Sequence, residues 1–349
     1  MDSAEPMDWR LRASSLAERI PMALLHPTVV AATRAGGAAA KSRWAVALSG
    51  GCDSVALLLL LWAHWPNRRD RLLALHFNHG LRGRNSDEDA RFCRSLCRSL
   101  GIPFRSQRWK RQSTRPVTEA AAREARFDFF RRAMERDSSR VLWLGHHQDD
   151  VAETLVMRLG RGSGLAGLVA PRPLQLSNDK IIRLRPLLTL SKRTLVEHLA
   201  GLGIPWREDE SNQTDQFLRN RVRNHVLPAW LAAEPGRDIV SGMAASRELL
   251  QEDADALDTL SASIGALRRS RIDLRKLKGV PKALVRRVLY KWKLSLKDRC
   301  GDLSKQGFEA LLAAVMAQRD TRLSLGASGF AVIQAFTLTY ERVVPKSRR

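Results

Sequence analysis

Apolar residues in this chain gather in short unbroken runs, separated by longer stretches with a helical period. Trp44 to Leu48 is the first such run and predicts a buried strand, with a helix over Ser54 to Trp65 behind it. Leu72 to Phe77 predicts the next strand. The helix after it begins near Ser86, with Asp87, Glu88 and Asp89 in its first turn, where acidic side chains meet the positive end of the helix dipole. Thr118 to Arg136 is helical in period, Val141 to Leu144 is a further strand, and a helix follows from about Gln148. Strands that alternate with helices imply an α/β fold, a doubly wound parallel sheet covered on both faces.

Around Pro228 to Pro235 the pattern changes. Ile239 to Ile264 predicts one long helix carrying Glu248, Glu252, Asp253, Asp255 and Asp258. Helices are expected at Lys282–Lys293 and Ser304–Met316, and Thr321 to Val344 alternates like strands with Gly326 and Gly329 at a turn. The expected organisation is a helical extension over 1–40, a nucleotide-type α/β domain over 41–235, a connecting helix over 236–265, and a smaller, mainly helical, basic domain over 266–349.

Composition changes this picture in one respect. The net charge is +23 and the pI near 11.1, and residues 268–349 alone hold 20 basic against 6 acidic side chains. Such a surplus favours a polyanion through counterion release, and nucleic acid is the expected partner. The longest apolar run, Val55 to Trp62, is far too short for a bilayer. Asp2, Glu5, Asp8 and Glu18 interrupt any signal-peptide pattern, so a cytoplasmic protein without a membrane partner is expected. Cys52, Cys93, Cys97 and Cys300 include no CxxC pair, which argues against a metal or iron–sulfur site and for reduced, mostly buried thiols.

The strongest local signal is Ser49-Gly50-Gly51-Cys52-Asp53-Ser54, between the first strand and its helix. Two glycines let the backbone approach a ligand, the helix start favours an anion, and the serines add hydroxyl donors. Asp53 in an anion site calls for a cation, and Mg²⁺ bridging to phosphates fits. No Gly-Lys-Ser/Thr follows, so this is not a Walker A loop. It resembles the PP-loop of ATP pyrophosphatases, which cleave ATP between the α and β phosphates.

Further stretches resemble one family within that group, the tRNA(Ile)-lysidine synthetases. His76-Phe77-Asn78-His79-Gly80-Leu81-Arg82 is similar to its V-D-H-x-L-R motif, with Asn78 where Asp is usual. Residues Glu119 to Phe127 resemble its E-A-x-A-R-x-x-R-Y helix, placing Arg123 and Arg126 on one side and Phe127 where Tyr is common. Gly145-His146-His147-Gln148-Asp149-Asp150 falls at a strand end, where doubly wound sheets bind ligands. Asp149 and Glu153, and likewise His146 and Asp150, are four apart, so the acids are expected to face the cleft. Arg185-Pro186-Leu187-Leu188, Glu208 to Asn212 and Leu218-Arg219-Asn220-Arg221-Val222-Arg223 continue the likeness to about residue 228. The basic C-terminal stretch with Arg286 and Arg287 is similar to the family's tRNA-binding region.

The resemblance implies adenylation of O2 of the wobble cytidine in a minor isoleucine tRNA with a CAU anticodon, followed by attack of free L-lysine at C2, with ATP and Mg²⁺ required. It assigns ATP binding to Ser49, Gly50, Gly51, Cys52, Asp53, Ser54 and His146. It assigns catalysis to Asp53, Arg123, Asp149 and Asp150, with Mg²⁺ on Asp53 and Asp149. Arg219, Arg221, Arg223, Arg286 and Arg287 are the expected tRNA contacts. Asp149, Asp150 or Asp209 would receive the lysine ammonium, and a homodimer is implied by resemblance alone. Two other readings stay open: a tRNA cytidine thiolase sharing the loop, and a non-catalytic RNA-binding protein on the same scaffold.

Overall fold

The computed structural model describes residues 7–34, 36–37, 39–80, 84–109, 118–177, 179–208, 215, 217–296, 303–326 and 329–342, with backbone alone at 84–86. It divides into two compact units, Met1–Glu248 and Leu249–Arg349.

Unit 1 opens with helices α1 (Trp9–Arg19) and α2 (Pro27–Thr33). Strand β1 (Arg43–Ala47), helix α3 (Cys52–His64), β2 (Leu72–Asn78), α4 (Arg84–Leu100), β3 (Phe104–Arg108), α5 (Glu119–Arg136) and β4 (Ser139–Trp143) follow in alternation. Then come α6 (Gln148–Gly160), α7 (Leu165–Leu168), a hairpin of β5 (Leu174–Leu176) and β6 (Ile182–Leu184), and α8 (Lys192–Ala200). Short α9 (Leu218–Arg221), a π-helical turn over Val222–Val226 and α10 (Leu227–Ala233) lead into α11 (Ile239–Ser263), in which the division between units falls.

The sheet order is β3-β2-β1-β4-β6-β5. All neighbours are parallel except β5, which returns antiparallel along β6 at the edge. Alternate residues of β1 and β4 feed opposite faces. Trp44, Val46, Val141 and Trp143 pack with α1 and α3, whereas Ala45, Leu142 and Leu144 pack with Phe129, Phe130 and Met134 of α5. Helix α3 is apolar all round because it has no solvent side: Val55 to Leu61 are buried without exception, between the sheet and α1. The N-terminal helix thus shares the core of the α/β unit, burying Trp9, Ala13 and Leu16 there.

Strand order reverses between β1 and β4. That is the switch point at which ligands bind in open α/β sheets, beyond the carboxyl ends of the strands. The Ser49–Ser54 loop leaves β1 there, and Gly145-His146-His147 leaves β4.

Unit 2 holds β7 (Leu267–Arg268), β8 (Arg271–Asp273), α12 (Lys282–Ser295), α13 (Lys305–Met316), β9 (Thr321–Ser324), β10 (Gly329–Gln334) and β11 (Thr337–Arg342). To the two expected helices and the strand-like stretch after Thr321 the structure adds β7 and β8. A five-stranded antiparallel sheet, β7-β8-β11-β10-β9, packs against the two helices over Ile272, Leu289, Trp292, Leu312, Ile333 and Leu338. Strands β7 and β8 span two and three residues, too few to show a period of two. No described helix is long and apolar enough to cross a membrane.

Candidate active site

Three helix N-termini converge at the switch point. Gly51 caps α3, His147 caps α6 and Ser191 caps α8. Gly145 passes so close to α3 that a Cβ on it would stand 2.9 Å from the Asp53 carbonyl oxygen. The Gln148 N–H donates to the Leu190 carbonyl at 2.9 Å, tying α6 to the turn before α8. Each helix start brings a partial positive charge toward the same place.

The loop itself is held by hydroxyls. Ser54 Oγ accepts the N–H groups of Ser49 and Gly50, each at 3.1 Å, and donates to the Gly51 carbonyl at 2.9 Å. The Gly51 N–H donates to Ser49 Oγ at 3.3 Å. Gly50 has φ +98°, and a Cβ there would meet Cys93 Sγ at 3.2 Å and the Arg207 side chain at 3.5 Å, so glycine is required on both counts. Behind the loop, buried His76 donates from Nδ1 to the Leu48 carbonyl at 2.9 Å. Of the loop expected to bind ATP, the Ser49, Gly50 and Gly51 amides are thus taken up by serine hydroxyls. Among the described residues, the first-turn amides left without an acceptor are those of Cys52 and Asp53.

Asp53 is held by a residue that the sequence reading did not single out. Lys192 Nζ donates to both of its carboxylate oxygens, at 3.0 and 2.9 Å, while the Lys192 N–H donates to Asp149 Oδ2 at 2.7 Å. A lysine at the first position of a helix opposes the macrodipole. That misplacement was the available signal. Burial works against the Lys192 charge, but Asp53 outweighs it and holds the ammonium above its ordinary value.

His147 stands among three carboxylates. Nε2 is 3.6 Å from Asp53 Oδ1 and 3.5 Å from Asp150 Oδ2, and Nδ1 lies 3.2 Å from Asp149 Oδ2, off the line of a hydrogen bond. Burial disfavours its charge, yet Asp150 first, then Asp149 and Asp53, raise it to about 9, so the ring is an imidazolium at neutral pH. Asp149 and Asp150 are correspondingly held below the usual carboxylate range; burial opposes this, and His147 outweighs it. His146 is the converse. It accepts from Arg185 Nε at 3.1 Å, and burial with nearby Arg185 keeps it neutral.

Arg219 donates to Asp150 at 2.9 Å and to Glu153 at 2.6 Å, and Arg223 donates to Glu153 at 2.6 Å. Glu153, expected to face the cleft beside Asp149, is fully buried under this clamp. Four residues along a helix is one turn deeper, about 6 Å, and that turn carries Glu153 from the mouth into the interior. Arg219 and Arg223, expected to meet phosphate, are committed to carboxylates; Arg221 between them is exposed. Arg286 pairs with Glu309, and Arg287 with Asp258 at 3.0 Å, so both expected tRNA contacts of unit 2 already hold acidic partners. Arg123 is exposed and lies near Arg219, Arg183 and Arg158, which with burial of its guanidinium depress its pKa. Asp209, with the rest of 209–214, lies outside the described residues.

Asn78, expected in place of an aspartate, bridges two groups. Its Nδ2 donates to Asp87 at 3.1 Å while its Oδ1 accepts the Gly80 N–H at 2.8 Å. An ionised aspartate could make only the second bond.

A glycine-bearing loop after β1, a second loop after β4 and three converging helix starts define a nucleotide-binding α/β protein. The family model described as a PP-loop domain matches residues 26–230, and the chain belongs to this ATP-binding PP-loop family. It is 37% identical over 284 residues to the tRNA(Ile)-lysidine synthase of Geobacter sulfurreducens, covering 76% of this chain and 57% of that protein. It is 39% identical over 224 residues to the tRNA(Ile)-lysidine synthase of Nitratidesulfovibrio vulgaris, covering 62% of each. The chain thus spans about three-fifths of the length of these two relatives. A solved U34-tRNA thiolase from Methanococcus maripaludis aligns over 69% of this chain and 78% of its own, with a TM-score of 0.48 at 18% identity.

Proposed function

We propose that the protein joins free L-lysine to C2 of the wobble cytidine in the CAU anticodon of a minor isoleucine tRNA, consuming ATP. Cytosine O2 attacks the α-phosphate of ATP and diphosphate leaves; the lysine ε-amine then attacks C2, and AMP departs with O2 while the amine sheds its proton. The observation that carries this reading is the convergence of the Ser49–Ser54 loop with Lys192, His147 and the aspartates, in a chain whose relatives bear the synthase name.

The Cys52 and Asp53 amides at the start of α3 suit the diphosphate oxygens. The His147 imidazolium and the Lys192 ammonium bring positive charge to the side on which diphosphate departs. Asp53 and Asp149, 26% and 32% exposed, would hold Mg²⁺ through one or two carboxylates, retained waters and phosphate oxygens once the Lys192 ammonium, which donates to both Asp53 oxygens, turns to the phosphates. Bound there, Mg²⁺ would neutralise phosphate charge. Asp149 also suits the incoming ammonium as an electrostatic anchor, since a carboxylate held below its usual range binds cations well and takes protons poorly. Asp150, engaged by Arg219, positions His147 through its backbone N–H at 3.0 Å. The site acts in the cytoplasm on this reading.

Sulfur transfer would need a reactive thiol. The described cysteines are buried, and burial holds the thiols protonated, with Cys52 and Cys97 raised to about 12.

Incubation with radiolabelled lysine, ATP and isoleucine tRNA transcript is expected to place label in the RNA, with one AMP and one diphosphate released per lysine. Asp53→Asn is expected to slow incorporation by about a hundredfold or more. RNA binding without incorporation, or sulfur transfer without lysine, would refute the proposal.

A further inference from the structure

On the α5 face of the sheet, beside Arg123, lie two arginines, Arg126 and Arg183, that the lysine-transfer chemistry does not use. Arg183 of β6 is in register with Leu142 of β4, whose side chain belongs to the α5 core. Its guanidinium lies 4.7 Å from the centroid of the Phe127 ring, and those of Arg123 and Arg126 lie 4.8 and 5.6 Å from the same ring. Three cations thus crowd one aromatic side chain.

Their hydrogen bonding sets two of them apart. Arg185, two residues on from Arg183, directs its donors to His146, the Arg172 carbonyl and Gln175, and Arg219 is clamped on Asp150 and Glu153. Arg126 Nε and Arg183 Nε are buried and, among the described residues, have no acceptor at all. A buried, unpaired charged donor is costly and calls for an acceptor. The carboxylates facing the group are Glu119, one turn back on α5, and Asp179, 3.9 Å from Arg183 Nη2. Against them stand Arg123, Arg126, Arg158 and Arg183, with Arg219 beside them already paired to Asp150 and Glu153. Burial and this mutual repulsion lower Arg126 to about 10.

We propose that Arg126 and Arg183, gathered round Phe127, form a binding subsite for a backbone phosphate of the RNA substrate. The inference rests on the reading that RNA is bound, and it adds where one of its phosphates is held. The nucleotide's diphosphate is the less fitting occupant, because its loop leads into α3, which packs on the face of the sheet opposite α5. A phosphate oxygen accepts from a guanidinium Nε–H and Nη–H together, which matches the donors left over. Arg183 lies two residues before Arg185, which donates to His146 at 3.1 Å, so a strand held here would run toward the proposed reaction centre.

The test uses the full chain, an isoleucine tRNA transcript and Mg–ATP. Arg183→Gln and Arg126→Gln are expected to weaken transcript binding about five- to tenfold and to reduce the slope of log affinity against log salt by about 0.7–0.9. Mg–ATP affinity should stay within about twofold, as for a site that touches only RNA. A scan of neutral methylphosphonate linkages through the anticodon loop, read on the unsubstituted protein, should find one linkage whose neutralisation costs a similar factor. That cost should vanish in Arg183→Gln. Unchanged RNA affinity and slope in both variants, a loss confined to Mg–ATP, or a scan with no sensitive linkage would each overturn the subsite. A protein that binds no transcript at all overturns the proposed function along with it, which separates the two failures.

Discussion

His147 carries more of this site's electrostatics than any motif position suggests. It is buried, yet three carboxylates within 3.6 Å hold it protonated to about pH 9. Its folded pKa lies above the unfolded value of 6.5, so its stabilisation is complete below pH 6.5 and is lost as pH rises through 9. The difference corresponds to about 3 kcal/mol. Urea denaturation of the ligand-free protein between pH 6 and 10 is expected to show stability falling by an amount of that order. His147→Gln should be less stable at pH 6 and should lack that component of the slope; parallel pH profiles for the two proteins would refute the assignment. Asp53, Asp149 and Asp150 stand out in the sequence at the ends of the loops after β1 and β4, and the structure brings all three together around His147. Lys192 left no such trace, because its contacts with Asp53 and Asp149 arise only when loops more than 40 residues apart are brought together, and His147 draws its charge from neighbouring Asp149 and Asp150 together with distant Asp53.

At the scale of elements, the clamp on Glu153 shows how α6 is fixed. Arg219 in α9 and Arg223 in the π-helical turn behind it reach the two oxygens of one carboxylate, each at 2.6 Å. A wide turn sits where two arginines four residues apart must converge on one point, and π turns of this kind commonly accompany functional sites. Because α6 also presents His147, Asp149 and Asp150, a shift along its axis would move all three. Removing charge from one member of a buried ion cluster leaves the others uncompensated. Glu153→Gln is therefore expected to destabilise unit 1 by roughly 3–5 kcal/mol and to weaken Mg–ATP binding without Glu153 touching the ligand. Thermal denaturation with and without Mg–ATP measures both effects; an unchanged midpoint would show that the arginines have no structural need of this carboxylate. The pattern of α6 foresaw the helix and its acids but placed Glu153 at the cleft, because spacing gives direction round a helix and says nothing of depth.

For the whole molecule, legibility followed burial. Strands β1, β2 and β4 were readable because apolar side chains cover both faces of a central parallel strand. Strand β3, Phe-Arg-Ser-Gln-Arg at the sheet edge, carries mostly exposed polar residues and left no trace in the pattern. The positive charge of the C-terminal stretch was readable as a total, whereas its pairings were not: Arg286 and Arg287 each met an acid supplied by another helix. The cores carry a further consequence. Among the described residues, the apolar clusters of unit 1 draw on Trp9 to Met243 and that of unit 2 on Ala266 to Leu338, with no buried residue in common. Cooperative unfolding follows shared burial, so calorimetry is expected to resolve two transitions. Trp292, 1% exposed in the second core, supplies the marker: Trp292→Ala should lower one transition by roughly 3–5 kcal/mol. Mg–ATP binds the folded loop of unit 1, so at a hundred times its dissociation constant it should raise the other by about 2.7 kcal/mol. If the substitution and the nucleotide moved the same transition, the two cores would be melting as one, and assigning ATP binding to unit 1 alone would fail.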